Sequence, residues 1–134
     1  MDLIKITPDK EKARSIIKMI ELIEERIPLQ EKDKMAALIL SDYYEIIKEL
    51  ITAILLSDEY KTLSHKDLID SLKERQKELS ENEISLIDSL RILRNRITYE
   101  GFQTNKDYLT RNEPSYKSII TKLKSIIKTK LKCQ

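Results

Sequence analysis

Isoleucine and leucine recur three or four residues apart through most of the chain, and this spacing is what most limits the folds open to it. A helix with 3.6 residues per turn places such residues on one face, whereas a strand needs them at every second position. Glycine occurs once and proline three times in 134 residues, so few positions interrupt a helix. The pattern predicts an all-α protein. Its clearest apolar stripe is formed by Met35, Ile39, Tyr43, Ile46, Leu50 and Ile54.

Capping signals divide the chain into about five helices. Thr7 followed by Pro8 predicts the start of the first helix, because a first-turn proline lacks only an N–H that would be unpaired anyway. Residues 64–67 and 80–83 have the Ser-x-x-acid spacing of a capping box. Gly101 predicts the end of the fourth helix. The predicted helices lie near residues 8–27, 32–57, 65–78, 81–99 and 113–131.

The last helix is predicted to begin late. The ten residues after Gly101 are irregular by composition, and Asn112 with Pro114 predicts a helix start. Neither an internal repeat nor the alternation of a strand is visible. A chain of this length supports one continuous core, so residues 1–134 are expected to form a single domain, an antiparallel bundle of about five helices.

Composition excludes several classes of function. The net charge of +2 is too small to mark the whole molecule as a nucleic-acid binder. Residues 112–134 hold six lysines against Glu113 alone, which predicts a solvated face, with nucleic-acid binding as the weaker alternative.

No apolar run approaches the roughly 20 residues of a membrane span, and no secretory signal is visible, so a cytoplasmic protein is expected. Cys133 is expected to be inert, and no metal or cofactor motif is present.

Polar residues gather where the fourth helix ends, in the stretch LRNRITYEG at residues 93–101. Arg94 lies beside the apolar stripe of this helix, where a guanidinium needs an acidic partner, a phosphate or a subunit boundary. Asp42 is the expected partner, because a carboxylate beside an apolar stripe also needs pairing. Tyr43 is expected to pack in the core, and His65 to be an isolated surface residue in the first turn of its helix.

Arg94, Asn95 and Tyr99 carry a resemblance to a known family. The chain resembles an HEPN domain, a helical nucleotide-binding fold whose members end a late helix with arginine, commonly asparagine, and then histidine. Here Tyr99 stands at the histidine position. The segments SHKDLIDSL and NKDYLTRNE add to the likeness, which extends over roughly residues 10–130. It implies a homodimer whose two motifs face one cleft, and in active relatives that cleft cleaves RNA without a metal ion.

The resemblance implies a dimeric nucleotide- or RNA-binding subunit that partners a minimal nucleotidyltransferase in a toxin–antitoxin-like pair. Its expected binding residues are Arg94, Asn95, Arg96 and Asp42. Arg94, Asn95 and Tyr99 are the corresponding catalytic positions, but a phenol with a pKa of about 10 is a poor base at neutral pH, so ribonuclease activity is expected to be weak or lost. One alternative is an active ribonuclease toxin that uses the same cleft. The other is a purely structural helical dimer, in which Arg94 and Asn95 serve only an interface network.

Overall fold

The computed structural model describes residues 3–132, which form a helical bundle. The described chain contains α1 (Lys10–Arg26), α2 (Ala36–Ser57), α3 (His65–Arg75), α4 (Glu81–Glu100) and α5 (Lys106–Lys132), and a short 3-10 helix (Ile27–Leu29) follows α1. Two short strands, β1 (Ile4–Lys5) and β2 (Tyr60–Lys61), pair antiparallel, with Ile4 opposite Lys61. The prediction of an all-α bundle is therefore confirmed. The strand pair was not predicted, because two residues are too few to show an alternating pattern.

The second helix, α2, is the centre of the core. Of its 22 residues, 15 are buried, and it packs against α1, α4 and α5. Ile47 and Ile51 are almost completely buried although they lie outside the predicted stripe. A helix that is apolar on nearly all sides is one that neighbouring elements surround. The other helices therefore take their positions from α2.

Three of the predicted helix boundaries are confirmed by their caps. The Ser80 hydroxyl accepts from the Glu83 backbone N–H at 3.1 Å, and the Glu83 carboxylate accepts from the Ser80 N–H at 3.0 Å, which completes a capping box. Ser64 Oγ accepts from the backbone N–H of Asp67 at 3.3 Å and begins α3. Gly101 ends α4 with a left-handed backbone, at φ 66°.

The predicted starts of the first and last helices were wrong. Asp9 caps α1, because its carboxylate accepts from the backbone N–H of Lys12 at 2.9 Å, so the helix begins two residues after Pro8. Asn105 caps α5 in the same way, accepting from Tyr108 N–H at 2.9 Å, and Pro114 lies inside that helix. Smaller differences are that α2 begins at residue 36 rather than 32 and that α3 ends at residue 75 rather than 78.

Burial explains why α5 continues through Pro114. Leu109 and Tyr116 are both completely buried and lie seven residues apart, so they extend the apolar stripe of α5 toward its N-terminus. Proline removes the hydrogen bond to the carbonyl of Thr110 and crowds that carbonyl, but Thr110 is an exposed residue whose carbonyl can be hydrated. The apolar contacts of two buried side chains outweigh this cost.

Candidate functional site

Arg94 lies half-buried on α4, against the aromatic side chain of Tyr44 on α2. The guanidinium carbon is 5.7 Å from the centre of the Tyr44 ring, within the range of a cation–π contact. Its Nη1 donates to the side-chain oxygen of Asn95 at 3.3 Å. In the described chain no carboxylate lies within 4 Å of this guanidinium, whereas Arg26, Arg75 and Arg91 each have one. Arg94 is therefore a partly desolvated cation without a neutralising partner.

The expectation that Asp42 would pair with Arg94 was wrong for the single chain. The Asp42 carboxylate accepts from Arg26 at 2.7 and 3.1 Å and from the Gln30 amide at 2.7 Å. These bonds join the end of α1 to α2 on a different side of the bundle. Arg26 lies in the last turn of α1, and nothing in its local sequence indicates that it faces Asp42 on α2.

His65 is not the isolated surface residue that was expected. It is the first residue of α3, and its Nδ1 lies 3.0 Å from the Tyr44 hydroxyl, while the two rings are 5.9 Å apart between centres. Burial lowers the pKa of His65, and the positive charges of Lys48 and Arg94 lower it further. The fold therefore places beside Tyr44 an imidazole that is harder to protonate than a free one, and near enough to Arg94 for that charge to lower its pKa.

The other cations around this site are paired with carboxylates. Lys48 contacts Glu45 at 2.7 Å and Glu49 at 3.1 Å, and Arg91 contacts Asp88 at 2.9 Å. Their charges are thus largely balanced within the chain. What remains is the cluster of Arg94, Asn95, Tyr44 and His65, which we call the Arg94 cluster.

Tyr99 and Arg96, two other predicted site residues, lie apart from the Arg94 cluster. The Tyr99 side chain is 76% exposed, and within residues 3–132 no hydrogen bond or ring contact joins it to Arg94. Arg96 is also exposed, and its guanidinium carbon stacks 3.8 Å from the centre of the Phe102 ring. Five residues of helix separate Arg94 from Tyr99 by about 140° around the axis. Only a second chain can therefore bring a Tyr99 phenol to Arg94 while α4 stays intact.

The remaining predictions have mixed outcomes. Tyr43 packs in the core as expected, and it also donates a hydrogen bond to Glu113. The lysines of α5 are less solvated than predicted, because three pair with acidic residues of other segments: Lys122 with Glu83, Lys124 with Glu24, and Lys130 with Asp58. Those pairs weaken the case for nucleic-acid binding by this helix. Cys133 lies outside the described residues.

The chemistry available to the Arg94 cluster is that of an anion site. A guanidinium binds a phosphate or carboxylate through two parallel hydrogen bonds, and an unpaired one retains its donors for a ligand. Tyr44 stays protonated, because burial raises the pKa of its hydroxyl to about 12 despite the opposing charges of Arg94 and Arg91. In residues 3–132 no group of three or more His, Cys, Asp or Glu side chains is arranged to hold a metal ion.

Comparisons with known proteins add no further constraint. No family model matches the chain, and no curated protein is significantly similar to it. Among the described residues, no helix is long and apolar enough to cross a membrane. Tyr44 was expected on the side of α2 that faces the motif, and Leu40, Tyr44, Ile47 and Ile51 do form a second stripe on α2 at helical spacing. The contacts of Tyr44 with Arg94 and His65 were not predicted.

Proposed function

We propose that the protein is a dimeric HEPN-like subunit that binds a nucleotide or RNA phosphate at Arg94. The observation that carries this proposal is a half-buried guanidinium with no carboxylate within 4 Å in the described chain. A cation in such a place has lost part of its hydration, and an anionic ligand restores the missing interactions. Asn95 and His65 add hydrogen-bonding groups that carry no negative charge, so they do not compete with the anion for the guanidinium.

A surface beside the motif supports a dimer. Ile92 is 50% exposed and Tyr99 is 76% exposed, and residues seven apart lie on the same face of a helix. In the proposed dimer a second copy packs on this exposed side of α4, which brings the two α4 helices together near one symmetry axis, with each Arg94 about 140° around its helix from Tyr99. In this proposal the partner of the dimer is a minimal nucleotidyltransferase, and the pair is of toxin–antitoxin type. Co-purification with the product of an adjacent nucleotidyltransferase reading frame tests that assembly.

The position of His65 favours metal-independent ribonuclease activity as the second candidate function. If the ring carries its proton on Nδ1 and donates it to Tyr44 Oη, then Nε2 is free to accept a proton from a ribose 2′-hydroxyl. Arg94 would stabilise the charge that develops on the phosphate. In this arrangement His65, and not Tyr99, supplies the base. The catalytic assignment of Tyr99 is then unnecessary.

Two sets of variants test these functions. Removing the Arg94 donors should lose about 1.5–3 kcal/mol of binding to AMP or to a labelled single-stranded RNA, so Arg94→Ala should weaken affinity about tenfold to a hundredfold. Arg14→Ala, at an exposed position of α1, is the matched control and should leave affinity unchanged. Equal effects of the two variants would refute a site at Arg94. Sedimentation of the wild type as a monomer would refute the dimer.

Cleavage of the same RNA in the presence of a chelator tests the second candidate. We expect His65→Gln to abolish cleavage while retaining most of the RNA affinity, and Tyr99→Phe to cleave as the wild type does. RNA that stays intact with all three proteins, at concentrations where binding is saturated, would exclude the ribonuclease and leave the binding function standing.

A further inference from the structure

A cavity lies away from the Arg94 cluster, between the end of α1, the middle of α2 and the first half of α5. Its volume is about 540 Å³, within the range of small-molecule sites. Ile46 and Ile120 supply apolar wall, and Tyr43, Glu113, Lys32 and Lys117 supply polar groups. None of the residues that line it belongs to the Arg94 cluster.

An ion pair between a buried carboxylate and an exposed lysine forms part of the cavity wall. Glu113 is only 8% exposed, and its carboxylate accepts from Tyr43 Oη at 2.5 Å and from Lys32 Nζ at 2.8 Å. Burial raises the pKa of Glu113, but the hydrogen bonds from Lys32 and Tyr43 and the charge of Lys117 outweigh burial, so the pKa lies below its ordinary value. The Lys32 side chain is 44% exposed, so this ion pair contributes little to stability. The Glu113 carboxylate is nevertheless held at the wall of the cavity, where it can accept a further hydrogen bond from a ligand.

The charges around the cavity are not balanced. Lys32 is paired with Glu113, and Lys124 is paired with Glu24. Lys117 also lines the cavity, but within residues 3–132 no carboxylate lies within 4 Å of its ammonium group. Lys117 lies one helical turn after Glu113 and interacts with it electrostatically, but three lysines against two glutamates leave the cavity lining with one net positive charge.

We propose that this cavity binds a small amphipathic organic anion, whose acidic group contacts Lys117 and whose apolar body lies against Ile27 and Ile120. A hydrogen-bond donor on the same ligand would contact Glu113, since a carboxylate whose oxygens each accept one bond still has acceptor capacity. The three requirements are a negative charge, a flat or branched apolar body and one N–H or O–H group. This site is independent of nucleotide binding at Arg94.

The probe 8-anilinonaphthalene-1-sulfonate meets all three requirements, because it carries a sulfonate, an aromatic body and an anilino N–H. We expect saturable fluorescence enhancement with one probe per chain. Lys117→Glu should weaken binding at least tenfold, because it places a like charge beside the sulfonate. Lys18→Glu makes the same change at an exposed position of α1 outside the cavity and should leave the affinity unchanged. Circular dichroism confirms that both variants are folded.

Methyl NMR of isoleucine-labelled wild-type protein locates the probe without any substitution. The proposal expects the largest shifts at Ile27 and Ile120, with Ile17 and Ile127 unaffected on another face of the bundle. Equal loss of affinity in Lys117→Glu and Lys18→Glu would overturn the proposal. So would shifts that are largest at Ile17 and Ile127, or binding that never saturates.

Discussion

Replacing Asp42 by asparagine separates the stability of this fold from its proposed ligand binding. The Asp42 side chain is 12% exposed and accepts three hydrogen bonds, two from Arg26 and one from Gln30. Asparagine has nearly the same shape, but one of its two terminal groups donates rather than accepts. At least one of the three donors must then face another donor, and the attraction to the guanidinium is lost.

The structure sets the size of the expected loss. A hydrogen bond to a charged group contributes about 1.5–3 kcal/mol when it is well buried, whereas an exposed ion pair contributes about 0–1 kcal/mol. The Arg26 side chain is 58% exposed, so its ion pair with Asp42 contributes an energy near that of an exposed pair. The Asp42 side chain is largely buried, so its hydrogen bonds contribute more. We expect Asp42→Asn to lower the free energy of unfolding by about 2 kcal/mol. For a domain of this size that corresponds to a fall in Tm of roughly 8 °C.

Urea denaturation followed by circular dichroism measures this loss. The transition midpoint should fall while the slope stays constant, because the surface exposed on unfolding is unchanged. Asp33→Asn is the control, since Asp33 is an exposed residue of the loop before α2 and should change stability by less than about 0.5 kcal/mol. Affinity for AMP should be the same in both variants and the wild type, because Asp42 makes no contact with Arg94.

Two results would refute the reasoning. Equal midpoints for Asp42→Asn and Asp33→Asn would mean that the network with Arg26 and Gln30 contributes little to stability. Unchanged stability together with weakened AMP binding would mean that Asp42 pairs with Arg94. Such a pair could form only between two chains.

Three further predictions concern single residues. Gly101→Ala should lower the free energy of unfolding, measured by urea denaturation, by about 1 kcal/mol. The whole cost comes from the left-handed backbone, because nothing lies within 4 Å of the added Cβ, and Gly101→Asn should therefore cost less. Ser80→Ala should cost about 1 kcal/mol by removing the capping box, and an unchanged midpoint would contradict that cap. The fold lowers the pKa of His65 from its ordinary value of 6.5, so the unfolded chain takes up the proton at a higher pH than the folded chain does. The free energy of unfolding should therefore fall as the pH drops below about 6.5. His65→Gln should remove that part of the pH dependence, and a parallel stability profile would show that His65 is not the group responsible.

Features set by neighbouring residues were the predictable part of the fold. The Ser80 cap and the Gly101 terminus depend on residues within one helical turn, and both were predicted correctly. Pro114 gave a wrong start for α5, because a proline marks the start of a helix only where tertiary packing does not favour a longer helix. Buried Leu109 and Tyr116 do favour it, and their seven-residue spacing was the evidence that α5 begins earlier.

The candidate site was predictable only in part, because its contacts join separate segments of the chain. Arg94 was identified from its position beside an apolar stripe, and the structure shows it without a carboxylate within 4 Å in the described chain. Its neighbour His65 lies 29 positions away in sequence and reaches the site only because α3 begins next to Tyr44. No periodicity carries that information. The same holds for Asp42, whose partner depends on how α1 crosses α2.

The central place of α2 has a consequence for synthesis of the chain. The ribosome completes this helix at Ser57, but Leu109, the first buried residue of α5, follows roughly fifty residues later. At about 5–20 residues per second, one flank of a strongly apolar segment stays uncovered for roughly 3–10 seconds on every nascent chain. Chaperone contact and aggregation compete with folding during that interval, so translation speed through α3 and α4 should influence the yield of native protein.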